Sequence, residues 1–119
     1  MKNAIFFSLL IIFIFIFSCN NDKFEYKDSG IVKYEVSVSG GGCVITFINS
    51  EGKSDHVCCY DSLWEYSFVG NRGDFAYVCA QADSLDVTLN LKLFYQEQLL
   101  AESVIKEDHA LLAVQEILP

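Results

Sequence analysis

An all-β sandwich is the fold class this sequence predicts, and three observations predict it. Apolar residues alternate with polar ones at period two in several stretches. Turn-forming residues punctuate the chain at roughly 8–12-residue spacing. The single proline is the last residue, Pro119, so no stretch loses a ladder donor to proline.

The elements follow in order. In IVKYEVSV, Val32, Tyr34, Val36 and Val38 share one face, opposite Lys33, Glu35 and Ser37, as in a half-buried strand. Gly40-Gly41-Gly42 then interrupts the pattern as a permissive turn. CVITFIN (Cys43 to Asn49) is β-rich, SEGK with Gly52 is a turn, and DHVCCY (Asp55 to Tyr60) returns as the hairpin partner. LWEYSFVG sets Trp64, Tyr66 and Phe68 on one face against Glu65 and Ser67, before a turn at NRGD (Asn71 to Asp74). FAYVCAQ (Phe75 to Gln81) is the next strand. DVTLNLKLFY alternates Val87, Leu89, Leu91, Leu93 and Tyr95 with Thr88, Asn90 and Lys92. QEQ (Gln96 to Gln98) turns the chain into LLAESVIK (Leu99 to Lys106). HALLAVQEIL contains good helix formers, yet the spacing of the preceding strands favours a last strand over one helix. Seven or eight antiparallel strands result, in one domain spanning residues 30–119. Its aliphatic and aromatic content is enough for a core of that size.

The amino-terminal end is different. Lys2 precedes an apolar run from Ala4 to Phe17, AIFFSLLIIFIFIF. At ~1.5 Å rise per residue such a run reaches only ~21 Å, short of the ~30 Å hydrocarbon core. It therefore reads as the hydrophobic region of a secretory signal, residues 1–18, rather than a stable membrane span. Ile16, Phe17 and Ser18 then lead into Cys19, followed at once by polar Asn20, Asn21 and Asp22. This resembles the lipobox of bacterial lipoproteins, with an apolar residue at −3 and a small one at −1 before the cysteine. Phe17 at −2 departs from the strict form and fits relaxed versions. The resemblance implies a diacylglycerol thioether on the Cys19 sulfur, cleavage before it and acylation of the freed amine. Residues 19–29 would form a lipidated amino terminus and flexible tether. The address implied is the cell envelope, anchored to a bacterial membrane and facing the periplasm or cell surface.

Charge excludes one class of partner. The formal net charge is −8, and removing the signal takes one of the 8 basic residues and none of the 16 acidic ones. Nucleic-acid binding needs a basic footprint, which is missing. The acidic residues are scattered, as on a solvated surface.

The central stretch carries a second resemblance. Val32-Lys33-Tyr34-Glu35-Val36, Val44-Ile45-Thr46-Phe47, Leu63-Trp64 through Phe68, and Cys79-Ala80-Gln81 resemble motifs of the MmpS family of small membrane-anchored transport accessory proteins. The likeness spans Val32 to Leu100. It implies an immunoglobulin-like β-sandwich and an accessory role beside a membrane protein. Family members also join a late strand to the terminal one by a cysteine pair. The matching late position here is Asn90, and the last segment has no cysteine.

Apart from Cys19, the cysteines are Cys43, Cys58, Cys59 and Cys79. Adjacent Cys58 and Cys59 point to opposite strand faces. A hairpin turning at Gly52 brings Cys43 close to both, and the bridge favoured is Cys43–Cys59, with four free thiols as the alternative. His56, Cys58 and Cys43 lack the paired spacing of a metal site, and His109 is distant in the chain. No catalytic residue, metal ligand or cofactor motif is singled out. Arg72-Gly73-Asp74 has the letters of an adhesion tripeptide but serves as a turn. The expectation is a non-enzymatic binding or accessory module with an envelope protein as partner, or a structural subunit pairing through an edge strand.

Overall fold

The structure, a computed structural model, describes residues 28–119. Cys19 and residues 1–18, expected to be a signal segment, lie outside the described residues. Eight antiparallel strands form two four-stranded sheets packed face to face. They are β1 (Ser29–Ser39), β2 (Cys43–Ile48), β3 (Ser54–Cys59), β4 (Leu63–Asn71), β5 (Phe75–Ala82), β6 (Val87–Tyr95), β7 (Gln98–Glu107) and β8 (Leu111–Ile117). One sheet has the order β4-β1-β6-β7 and the other β3-β2-β5-β8. The predicted sandwich is thus formed, and its last element is a strand.

The alternating runs do what their period requires. Val32, Tyr34, Val36 and Val38 of β1 are buried, as are Val87, Leu89, Leu91, Leu93 and Tyr95 of β6. These two strands are paired along Val32–Ser39 and Thr88–Tyr95 at the centre of their sheet. The opposing layer supplies Ile45, Phe47, Val78, Ala80 and Val114. Each large aliphatic side chain so buried contributes about 1.5–3 kcal/mol, and β6 contributes four in one row. The small alanines of β5 let the sheets approach across its middle.

Tyr34 fastens the two layers. Its hydroxyl, from β1, donates to the Ile48 carbonyl at 2.7 Å and accepts from the Tyr77 N–H at 3.3 Å. Ile48 and Tyr77 both belong to the other sheet. Around it stand Phe47, Tyr66 and Phe68, with ring centroids 5.6–6.2 Å away.

Two turns show how the hairpins close. Asn49 N donates to the Lys53 carbonyl at 2.8 Å, leaving a three-residue loop with Gly52 at φ 75°. The left-handed conformation there is the one glycine adopts freely. The β6–β7 turn is different, because Gln96 (φ 50°) and Glu97 (φ 67°) are both left-handed without glycine. Tertiary bonds hold it: Gln96 N donates to the Ile31 carbonyl at 2.9 Å, and its Nε2 donates to the Ser29 carbonyl at 3.3 Å.

Burial gives the fold an alkaline limit. Burial pushes the Tyr34 phenol from its ordinary 10.0 to about 12, against a smaller opposing effect of the Tyr77 N–H. It also pushes the Cys43 thiol from 9.0 to about 12, helped by the neighbouring Cys59. Both groups hold their proton more tightly folded than unfolded. Their contribution is therefore complete below pH 9 and is lost as pH rises towards 12. The urea midpoint of the reduced protein should stay level from pH 7 to about 9 and fall steadily above it. A midpoint unchanged at pH 11 would contradict this account.

Candidate functional site

The two sheets present very different faces to solvent. On the outer side of β4-β1-β6-β7 stand Lys33, Glu35, Glu65, Lys92, Glu102 and Lys106. Lys33 lies 3.5 Å from Glu35 and 3.8 Å from Glu65, and Lys92 lies 3.8 Å from Glu102. These are half-exposed pairs worth ~0–1 kcal/mol each, an ordinary solvated surface.

The outer side of β3-β2-β5-β8 contains no Asp, Glu, Lys or Arg. Strand parity assigns its residues, because the alternate positions are the buried ones. One row across the sheet is Cys58, Val44, Gln81 and Leu111, and the next is His56, Thr46, Cys79 and Ala113. Further along, Tyr77 faces Gln115 and Phe75 faces Ile117. Val44 is 42% exposed, Phe75 48%, Leu111 57% and Ile117 65%, so large apolar groups stand in water here. Phe75 and Tyr77 stack with centroids 6.2 Å apart. A hydrogen bond to the Cys79 sulfur, with some burial, holds the Tyr77 phenol above its ordinary range. Four strands at ~4.8 Å spacing make this a broad surface.

The face runs into a cleft of about 350 Å³ at the end of the sandwich where β1 begins. Ile48, the Asn49–Gly52 turn, Phe68, Asp74 and Phe75 line it. Asn49 Oδ1 accepts from the N–H groups of Glu51 and Lys53, at 2.9 and 3.1 Å, which fixes the turn. Asp74 Oδ2 accepts from Asn71 N at 2.9 Å and fixes the opposite lip. Beside the cleft, Trp64, Tyr66 and Phe68 form a half-buried seam against Phe47, with Phe47–Tyr66 centroids 4.7 Å apart and Phe47–Trp64 5.0 Å apart. The shared face predicted for these three aromatics is the inward one. They remain partly exposed because β4 is an edge strand.

The residues weighed as chemistry do not converge. Cys43 points into the core, whereas His56 and Cys58 point out of the same sheet. Among the described residues no group of three or more His, Cys, Asp or Glu side chains could hold a metal ion. His56 is exposed on the edge strand. Cys43 does sit directly opposite Cys59, the pair favoured from the hairpin, and all four described cysteines are free thiols in the structure. Arg72-Gly73-Asp74 is the β4–β5 turn, with Gly73 at φ 89°.

Sequence reasoning missed the uncharged face. Its signal was present, since CVITFI, FAYVCAQ and LLAVQEI carry apolar residues on both parities, unlike VKYEVS. Reading it required knowing that these strands share one sheet. No family model matches this chain, and no curated protein matches it.

Proposed function

We propose that this protein is a lipid-anchored, non-enzymatic module of the bacterial cell envelope that docks another envelope protein on its uncharged sheet face. One observation carries the docking: in a chain of net charge −8, fourteen outward positions of a four-stranded sheet hold no formal charge. The opposite sheet has exposed apolar residues too, among them Ile31, Val69 and Val104, but it intersperses them with Lys33, Glu35, Glu65, Lys92, Glu102 and Lys106, as solvated faces normally do. A broad face with exposed Val44, Phe75, Leu111 and Ile117 is the composition of a surface that another protein covers. The matching partner surface is itself uncharged and apolar at its centre, because a charge left unpaired there would be desolvated at a cost.

The address rests on the sequence. Ala4 to Phe17, Ser18 and Cys19 support lipidation, and several acyl chains at ~0.8 kcal/mol per buried CH₂ give lasting attachment. The likeness to MmpS proteins in β1, β2, β4 and β5 supports the finer reading of an accessory subunit of a membrane assembly. Residues 20–28 would let the domain stand close to the bilayer with its cleft end nearest, since β1 starts there.

A second reading draws on β3. Its far edge has no partner strand among the described residues, and Ser54, Asp55, His56 and Cys58 on it are exposed. A structural subunit could add a strand there. Protection of β3 amides from hydrogen exchange in the complex would favour that mode over face docking.

Cys19→Ser tests the address. The variant is expected to take no lipid and to accumulate as the uncleaved precursor. A Cys19→Ser protein that is processed normally and remains in membranes would contradict lipidation. For docking, cross-linking in intact cells followed by detergent extraction is expected to yield a defined larger complex. A purely monomeric protein under those conditions would contradict it.

A further inference from the structure

The four described cysteines separate by strand parity, and the separation decides which of them can bond. Cys43 and Cys59 are direct partners across the β2–β3 hairpin. Both face the core, 3% and 5% exposed. The Cys59 S–H donates to the Asp61 carbonyl at 3.3 Å. Directly opposed residues of an antiparallel pair have Cα atoms ~4.5–5.5 Å apart, inside the ~4.4–6.8 Å range of disulfides.

Every other combination fails on geometry. Cys58 and Cys79 share the outer face, but β2 runs between their strands. Two strand spacings are ~9.6 Å, beyond the ~7 Å that a bridge tolerates. Pairing Cys43 or Cys59 with Cys58 or Cys79 would join side chains on opposite sides of one sheet.

We infer that Cys43–Cys59 is the one disulfide this domain can form, fastening edge strand β3 to the sheet that carries the candidate docking face, while Cys58 and Cys79 stay thiols on that face. The oxidant is a disulfide donor reacting by thiol–disulfide exchange. The Cys59 thiolate attacks a donor sulfur, forming a mixed disulfide and releasing one donor thiolate. Cys43 then loses its proton and attacks the Cys59 sulfur, and the second donor thiolate leaves. Two protein thiols become one disulfide, and the donor disulfide becomes two thiols. Because burial pushes the Cys43 thiol up to about 12, the closing step is slow at neutral pH. It quickens as pH rises and a larger fraction of Cys43 is thiolate.

That such a donor meets the domain in the cell rests on the export reading, so the test has two arms. In the first, full-length mature protein in detergent is incubated with oxidised glutathione, denatured and alkylated without reduction. Cleavage at Lys53 separates Cys43 from Cys58 and Cys59. The expected result is two alkylated residues, Cys58 and Cys79, and a cross-linked peptide carrying Cys43. Cys58→Ser should keep the cross-link, Cys59→Ser should lose it, and the bridged form should melt about 10 °C higher. Four alkylated thiols, or a cross-link that survives Cys59→Ser, would overturn the inference. In the second arm, cells are quenched in acid and alkylated at once. The bridge found in cells supports both readings. The bridge formed with glutathione but absent in cells upholds the geometry and overturns export to an oxidising compartment.

Discussion

Tyr34→Phe is expected to lower the melting temperature by roughly 10–25 °C while leaving the fold intact. The substitution removes one oxygen from the middle of the sandwich. That oxygen donates to the Ile48 carbonyl at 2.7 Å and accepts from the Tyr77 N–H at 3.3 Å, both in the opposing sheet. Phenylalanine keeps the ring contacts with Phe47, Tyr66 and Phe68 but leaves a partly buried acceptor and a partly buried donor without their partner. Each orphaned group costs about 1–3 kcal/mol; with the longer 3.3 Å bond to Tyr77 at the low end, the total is about 2–4 kcal/mol. For a domain of this size, 1 kcal/mol moves the midpoint by about 4–8 °C. The variant should also lose part of the alkaline decline, because the phenol that burial holds at about 12 is gone. A loss below about 0.5 kcal/mol, the range of an ordinary surface change, would show that Tyr34 does not join the sheets.

The same residue shows how far the sequence could be read. Its place on the inward face of β1 follows from the alternation of Val32, Tyr34, Val36 and Val38 with charged or polar neighbours. Its partners do not, because they lie in β2 and β5, and which strands share a sheet is a non-local fact. The chain visits the two sheets in an interleaved order, with β1, β4, β6 and β7 in one and β2, β3, β5 and β8 in the other. Nothing local in the sequence announces that β6 sits on the far side of β1 from β4.

Elements with clean period two were legible, β6 above all. HALLAVQEIL was ambiguous, since Ala, Leu, Gln and Glu favour helix when nothing else acts. Pairing of Leu111–Ile117 with β5 settles it as strand, with Val114 and Leu118 supplying core. The Gln96–Glu97 turn was legible in position but not in type. Two left-handed residues without glycine are sustained by bonds to the Ile31 and Ser29 carbonyls, far away in the chain. The Cys43–Cys59 juxtaposition was legible because a hairpin is local and its register follows from the turn at Gly52. The uncharged face was the least legible feature. It needs four strands from separate parts of the chain to be laid side by side before its lack of charge can be noticed.

That face carries the largest expected functional effect. Val44→Glu combined with Leu111→Glu places two carboxylates in the row Cys58, Val44, Gln81 and Leu111, at positions 42% and 57% exposed in the free protein. In the free domain both new side chains reach water, so stability should change by no more than about 1 kcal/mol. Under a docked apolar partner both carboxylates would be desolvated without a counter-charge. Several kcal/mol per ion are lost in that event. Since each 1.4 kcal/mol is about tenfold in affinity, binding should weaken by at least about a hundredfold. Glu65→Gln on the opposite sheet serves as the matched control, because Glu65 is exposed there and lies 3.8 Å from Lys33 in a weak pair.

The most direct measurement is the yield of the cross-linked complex from cells expressing wild-type protein, Val44→Glu/Leu111→Glu or Glu65→Gln, with membrane content and melting temperature measured in parallel. The account predicts that the double variant reaches the membrane and melts close to wild type but loses the complex, while Glu65→Gln keeps it. A double variant that retains the complex at wild-type yield would contradict the claim that the uncharged face of β3-β2-β5-β8 is the working surface.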